Sequence, residues 1–470
     1  MRLFNLSLFI SIALLSAGEF TLKINFLDLD SIKHIQIESD SALTKIVVEF
    51  ESHNQKNGYL HRTAELSSLG FSENENNDVV AVYDMSNSEK TNIDSIVAFG
   101  TGSLKKKKLD RLFSSLKNET ASFRTLRRSS ELIKSYSFLE ETGNPYYAVF
   151  GQKNIAMVLP MKETFSNTFS GFVGIQPEEG GKSQFVGDIR IHLENTFRSA
   201  SMMDFWWQRK DENSQIISTQ YENPLFWKLN FGIKLSYYQN LFSGLYLRQV
   251  TEYSLVNSHS KFGKWYIGGG QTKVTVTDSS EDIGLTDHNL SSFNIENIWE
   301  RRNNRWNPDK GFYFQWKLEL GKFETKEDSR DVLYRLTQKH EFIKSLFKKV
   351  IIASRGLGGY SDLPGDKNLP ESEQFQFGGA STLRGYLEQS FISNWYYVIQ
   401  NEIRQHSSQI NFLYLFSDIG WYNVSIKIPL SAGFGIQQKT PIGVLRLEYA
   451  VNRDDRPGKG KIHIQLMGKF

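Results

Sequence analysis

The chain contains no cysteine among its 470 residues. That excludes a disulfide framework, a thiolate zinc site and a thiol nucleophile. It also lacks an excess of either charge. With 55 Lys and Arg against 52 Asp and Glu, the net +3 is too balanced to indicate a nucleic-acid partner. Beyond residue 20 there is no run of 18 apolar residues, so no spanning helix is encoded there. Catalytic patterns are missing too. The nine His form no H-E-x-x-H pair and Ser381 lacks a G-x-S-x-G frame, so neither an enzyme nor a bound cofactor or metal is expected. "GTGSLK" places Lys105 where a dinucleotide fingerprint needs its third glycine, and it reads as a strand–helix turn. "IGGGQ" at 267–271 reads as a flexible strand or bulge rather than a phosphate loop.

What the chain has in quantity is aromatic residues and glycine: 34 Phe, 20 Tyr, 9 Trp and 35 Gly, a mixture suited to many strands and tight turns. Arg2, an apolar run over 6–15 broken only by Ser7 and Ser11, and the small residues Ser16, Ala17 and Gly18 predict an export signal over residues 1–18. The run is too short for a spanning helix, which needs about 20 residues.

Residues 19–90 read as short strands and polar turns ("IKHIQIE", "KIVVEF", "DVVAVYDM") without a complete helical pattern, hence a partial or variant domain. Residues 91–165 are clearer. "IDSIVAFG" is a strand. "LKKKKLDRLFSSL" sets Leu104, Leu109, Leu112, Phe113 and Leu116 near one helical face. "FRTLRRSSELIKSYSFLEETG" reads as a second helix closed by Gly143, and "YYAVFG" with "IAMVLPMKE" as a hairpin. The expected order is strand, helix, helix, strand, strand.

From about residue 166 to 470 the helical signal all but vanishes and period-two alternation takes over. In "FYFQWKLEL", Phe312, Phe314, Trp316, Leu318 and Leu320 share one face and Tyr313, Gln315, Lys317 and Glu319 the other. A soluble sandwich alternates in the same way. An export signal ahead of so long a helix-free run favours a membrane barrel, in which only one face of each strand need be apolar. At about 9–11 residues per spanning strand the segment holds roughly sixteen. The expected class is mainly β: a transmembrane antiparallel barrel of about sixteen strands behind a small α+β domain.

One stretch carries the reading to a family. "FQFGGASTLRGY" has Phe375, Gly378 and Gly379, then Leu383, Arg384, Gly385 and Tyr386. It resembles the barrel-loop motif of the BamA/TamA-type outer-membrane assembly-factor superfamily: F-x-x-G-G, an aliphatic residue, R-G and an aromatic. Leu383 stands where Val is commoner. Pro308 and Gly311 resemble that family's Pro-x-x-Gly strand start. "NEIRQ" offers Glu402, "LYLFSDIGW" offers Asp418, and the last two strands follow in order. The strand–helix–helix–strand–strand order of 91–165 is that of the family's periplasmic POTRA module.

The resemblance implies a loop folded into the lumen, with Arg384 paired to carboxylates on the inner wall. Alternation puts Glu402 and Asp418 on inward faces, where a planar guanidinium can bond both. It also implies a lateral seam between the first strand, with Phe169, Gly171 and Gly174, and the last, with Ile464, Leu466 and Phe470. The implied activity is insertion of unfolded β-barrel clients into the outer membrane of a Gram-negative bacterium. The implied partners are those clients, accessory subunits in the periplasm or outer membrane, and the lipid bilayer. Typical central insertases carry several POTRA modules, whereas this chain offers one complete copy and a partial one, so an accessory role stays open. The rival readings are export of one partner polypeptide, as in two-partner secretion, and a passive porin.

Overall fold

In a computed structural model of the protein, residues 20–26, 31–37, 52–54, 56–60, 64–71 and 79–85 are described, and from residue 90 onward all except 101–105, 137, 152–153, 165–166, 178–182, 197, 227–230, 258–261, 278–284, 304–306, 326–330, 366–367, 409, 424–427, 441–442 and 470. The expected export signal and Phe470 lie outside the described residues. The chain divides into two units, the second of which contains the barrel.

The first strands are β1 (Phe20–Phe26), β2 (Ser31–Ile37), β3 (Ala64–Phe71) and β4 (Val79–Met85). They form one sheet in the order β2-β1-β4-β3, with β1 parallel to β4. Next come β5 (Ser95–Phe99), α1 (Lys106–Leu112), α2 (Phe123–Ser135), β6 (Leu139–Glu141), β7 (Tyr146–Phe150) and β8 (Asn154–Glu163). β8 runs parallel to β5 and antiparallel to β7, so both N-terminal sheets pair a first strand in parallel with a last one. Alternation along β8 buries Ile155, Met157, Leu159 and Met161 on one face. α2 starts where the Ser122 hydroxyl accepts the Thr125 amide at 3.3 Å, an N-cap. It ends sooner than the apolar pattern predicts. Phe138 and Leu139 are buried and continue that pattern, but Leu139 belongs to β6, a short strand that periodicity alone merges with the helix.

The barrel strands are β9 (Thr168–Pro177), β10 (Ser183–Thr196), β11 (Ser201–Asp211), β12 (Ser214–Asn223), β13 (Gly232–Phe242), β14 (Tyr246–Asn257), β15 (Lys264–Val276), β16 (His288–Glu300), β17 (Gly311–Thr325), β18 (Asp331–Phe347) and β19 (Val350–Asp362). After a loop holding β20 (Phe375–Phe377) and β21 (Phe391–Ser393) come β22 (Trp395–His406), β23 (Phe412–Tyr422), β24 (Leu430–Thr440), β25 (Gly443–Asn452) and β26 (Lys461–Lys469). Sixteen of these strands, all but β20 and β21 from β9 onward, close into one antiparallel barrel, each paired with its chain neighbour. The glycine run at 267–271 is uninterrupted strand within β15.

The two faces separate as alternation requires. Leu413 and Leu415 on β23 are exposed, as are Ile462 and Ile464 on β26, while their neighbours Tyr414, Phe416 and Asp418 point inward and are buried. Among the described residues no helix is long and apolar enough to span a bilayer. The exposed apolar bands are strand faces, which suit lipid because the strands' backbone groups are bonded to one another.

Closure is uneven. β9 pairs with β10 over ten positions, from Thr168↔His192 to Pro177↔Ser183. Among the described residues β26 meets β9 over three: Met467↔Ser170, Gly468↔Phe169 and Lys469↔Thr168.

Candidate functional site: the lumen loop and the closing seam

The loop between β19 and β22 turns back into the barrel instead of leaving it. Its first hairpin pairs Phe375–Phe377 with Phe391–Ser393. Gly378, at φ +119°, makes the bend that follows, and a Cβ there would lie 2.6 Å from the Leu387 carbonyl oxygen. The Thr382 hydroxyl ties the bend, accepting the Gly378 amide at 2.8 Å and donating to the Gly378 carbonyl at 2.9 Å. Gly379 also has positive φ, and its amide donates to Leu383 at 3.2 Å. Phe377, Leu383 and Val398 form a buried apolar cluster, with Tyr386, Phe391, Tyr396 and Tyr422 packed around it. Phe375 lies against Tyr396, ring centroids 5.3 Å apart. The motif's apolar residues thus anchor the loop to β22 and β23 and leave the guanidinium directed at the wall.

Arg384 is 2% exposed, and every nitrogen is bonded. Its Nε and Nη2 donate to the two oxygens of Asp418 at 2.9 and 2.6 Å, a bidentate fork, and its backbone amide adds a third bond to Asp418 at 3.0 Å. Nη1 donates to Glu402 at 2.7 Å and to Glu448 at 3.1 Å. The Phe416 ring lies under the guanidinium, 3.7 Å from its carbon to the centroid. Arg404 and Arg446 neutralise the remaining acid: Arg404 bonds Glu402 at 2.8 Å, and Arg446 bonds Glu402 at 3.2 Å and Glu448 at 3.0 Å. Buried charge is tolerated only with such complete pairing.

The rest of the motif completes the attachment. Gly385, at φ +85°, brings its carbonyl to the Asn452 side-chain amide at 2.8 Å, with Ser431 directly beneath. The Tyr386 hydroxyl donates to the Leu430 carbonyl at 3.3 Å and accepts its amide at 3.2 Å.

The structure therefore brings together Phe375, Gly378, Gly379, Leu383, Arg384, Gly385 and Tyr386 with Glu402 and Asp418. Sequence reasoning missed Glu448, although it shares the polar face of β25 with Arg446 two residues earlier. It also missed Glu373, whose neighbours are described below. The seam residues are not brought together in the same way. Phe169 lies in the closing register opposite Gly468. Gly171 and Gly174 pair with Ile189 and Val186 of β10. Ile464 and Leu466 pair with Leu447 and Leu445 of β25. The seam is shorter than the two strands that border it. At Gly171, φ is +154° and an added Cβ would stand 2.1 Å from the Asp188 carbonyl oxygen. This glycine lets β9 lie close to β10, away from the seam.

The sequence that builds this sixteen-stranded barrel matches a known family. The profile of the Omp85 superfamily domain fits residues 195–470, more than half of the chain. The chain belongs to the Omp85 superfamily. Three solved structures share the fold of this Omp85 chain. BamA from Haemophilus ducreyi lacking POTRA domains 1–3 is 15% identical at a TM-score of 0.52, covering 96% of this chain and 99% of its own. CdiB from Acinetobacter baumannii is 15% identical at 0.56, covering 96% and 90%. CdiB from Escherichia coli is 12% identical at 0.57, covering 97% and 92%. No curated protein matches the chain by sequence. Membership of the Omp85 superfamily makes this an outer-membrane β-barrel protein, one of a family that handles β-barrel or secreted client proteins.

Proposed function

We propose that this Omp85 protein inserts client β-barrel proteins into the outer membrane of a Gram-negative bacterium, using the β26–β9 seam as a lateral gate. The observation that carries the reading is the short closure. Among the described residues, β9 beyond Ser170 and β26 before Met467 have no ladder partner across the seam. In hydrocarbon each unpaired backbone group costs several kcal/mol. Such an edge favours an incoming strand, which gains affinity by adding its backbone hydrogen bonds to the exposed edge. The Arg384 loop fits this role. It fastens to β22, β23 and β25, the last being the neighbour of seam strand β26, and so bears on the side of the barrel that borders the gate. The two N-terminal sheets, read as one POTRA-like module and one variant of it in the periplasm, would receive client strands or accessory subunits before they reach the barrel.

The fold likeness to BamA and to CdiB is of similar size, so a second reading is export of one partner polypeptide through the lumen. A disulfide across the seam separates the two. Ser170→Cys with Met467→Cys places the pair in the observed register, and the absence of native cysteine keeps the background clean. In cells depleted of the wild-type copy, insertion of newly made barrel proteins should stop when the bond forms and resume on reduction. Complete cross-linking with undisturbed insertion would refute the gate and leave the exporter.

A further inference from the structure

The Arg384 cluster has a counterpart of opposite charge elsewhere on the lumen wall. Glu373 precedes the motif by two residues, in a single 3-10 turn (Glu371–Glu373), and is 1% exposed. Its two carboxylate oxygens accept Nε and Nη2 of Arg248 on β14, at 3.2 and 3.1 Å. Arg335 on β18 donates to the same carboxylate at 2.6 Å and to the Glu373 carbonyl at 2.9 Å. His288 on β16 lies 3.1 Å from it through Nε2. Burial alone would push this carboxyl up, but Arg248 and Arg335, with His288, hold it well below the ordinary carboxylate range. Apolar packing supports the same arm, since Leu363 and Leu369 of the loop form a cluster with Leu290, Phe323 and Leu333 on β16, β17 and β18. The Gln376 side-chain amide donates to the Tyr246 hydroxyl on β14 at 2.8 Å.

We propose that Glu373 is a second anchor of the lumen loop, a positioning residue that ties the loop's leading arm to the β14–β16–β18 wall independently of Arg384. The two attachments share no wall strand. Arg384 is a cation among the acids of β22, β23 and β25, and Glu373 is an anion among the bases of β14, β16 and β18. Between them lies β19, from which the loop departs, so the loop is a tie across the lumen between two stretches of wall. Opposite charges at its ends also fix its direction. Reversing the loop would set Arg384 against Arg248 and Arg335, and Glu373 against Asp418 and Glu402, with like charges buried together. The two ends can then be released one at a time: freeing Arg384 loosens the wall next to the seam while the leading arm stays docked. This inference concerns the barrel alone and holds whether the protein inserts clients or exports a polypeptide.

Single-cysteine reporters in the full-length protein test it. Ser372 is 6% exposed beside Glu373, and Ser431 is 2% exposed beneath Gly385. Ser372→Cys and Ser431→Cys would each be alkylated with a maleimide in detergent, with gel heat-modifiability confirming a folded barrel. Glu373→Gln should accelerate labelling at position 372 at least tenfold and leave position 431 within twofold. Arg384→Gln should do the reverse. Should Glu373→Gln fail to fold, Arg248→Gln and Arg335→Gln, taken singly, should expose position 372 in its place. A purely local structural role would lower the melting point without this crossed pattern. Both reporters opening together in either variant, or position 372 staying protected without Glu373, would overturn the proposal.

Discussion

The wall under the loop and the seam one strand beyond it are held on opposite terms. Along β22, β23 and β25 the ladders are continuous, and Arg384, Arg404 and Arg446 form a hydrogen-bonded network with Glu402, Asp418 and Glu448. Between β26 and β9, three residue pairs close the barrel among the described residues. The difference shows where stiffness is placed. Charge pairing fixes the wall that borders the seam, and the seam itself depends on a few backbone bonds. Under the proposed gate, a barrel strained outward parts at β26–β9 before it parts elsewhere.

The largest test of that contrast is Arg384→Ala. It strands buried Asp418 without its cation, and breaking a buried pair in this way costs about 3–5 kcal/mol. The loss should appear as a marked fall in the temperature at which the folded gel band disappears. An unchanged melting point would show that the network does not stiffen the wall. Leu415→Arg attacks the same wall from its lipid face, where a charge near the bilayer midplane costs about 2–4 kcal/mol. It should lower the yield of folded barrel in bilayers, with a smaller loss in detergent. Gly171→Val moves to the seam strand. Its strain should be about 1–3 kcal/mol, because a side chain at this φ meets the β10 backbone. Weakening β9–β10 should reduce the contrast between the two edges of β9, so hydrogen exchange should speed along β10 as well as at the seam. Tyr386→Phe removes one hydroxyl bonded to Leu430, and about 1 kcal/mol or less is expected in the same melting assay.

The smallest expected effect is none. A carboxyl whose native pKa is lowered contributes stability that is complete above its unfolded value and is lost only as pH falls through the native one. Glu373 is of this kind. Labelling at Ser372→Cys, corrected for thiolate fraction, should therefore be flat between about pH 6 and 8. A change in labelling across that window would show that the Glu373 carboxylate is not the anchor.

Much of the architecture is legible along the chain because a β-barrel is built from local rules. Alternation such as Leu445, Leu447 and Tyr449 against Arg446 and Glu448 assigns inner and outer faces without any tertiary information. The spacing of turns gives a strand number near the sixteen observed. The loop motif is contiguous, and Glu402 and Asp418 lie on faces that alternation predicts. Helix ends are less legible. The buried Phe138 and Leu139 continue the apolar pattern of α2 into β6, because periodicity registers burial and not backbone hydrogen bonding.

The sequence by itself determined which residues face lipid and which face the lumen, since side-chain direction in a strand has period two whatever the surrounding fold. It also marked the loop that carries the arginine, because the motif from Phe375 to Tyr386 is contiguous and its resemblance to a known family implies such a loop. Only the tertiary structure decided that Glu448 joins Asp418 and Glu402, that Glu373 meets Arg248 and Arg335, and that closure between β26 and β9 is short among the described residues. Each of these depends on how sixteen strands are staggered around a circle. Stagger is set by the summed register of every neighbouring pair, a quantity that no single segment of the chain contains.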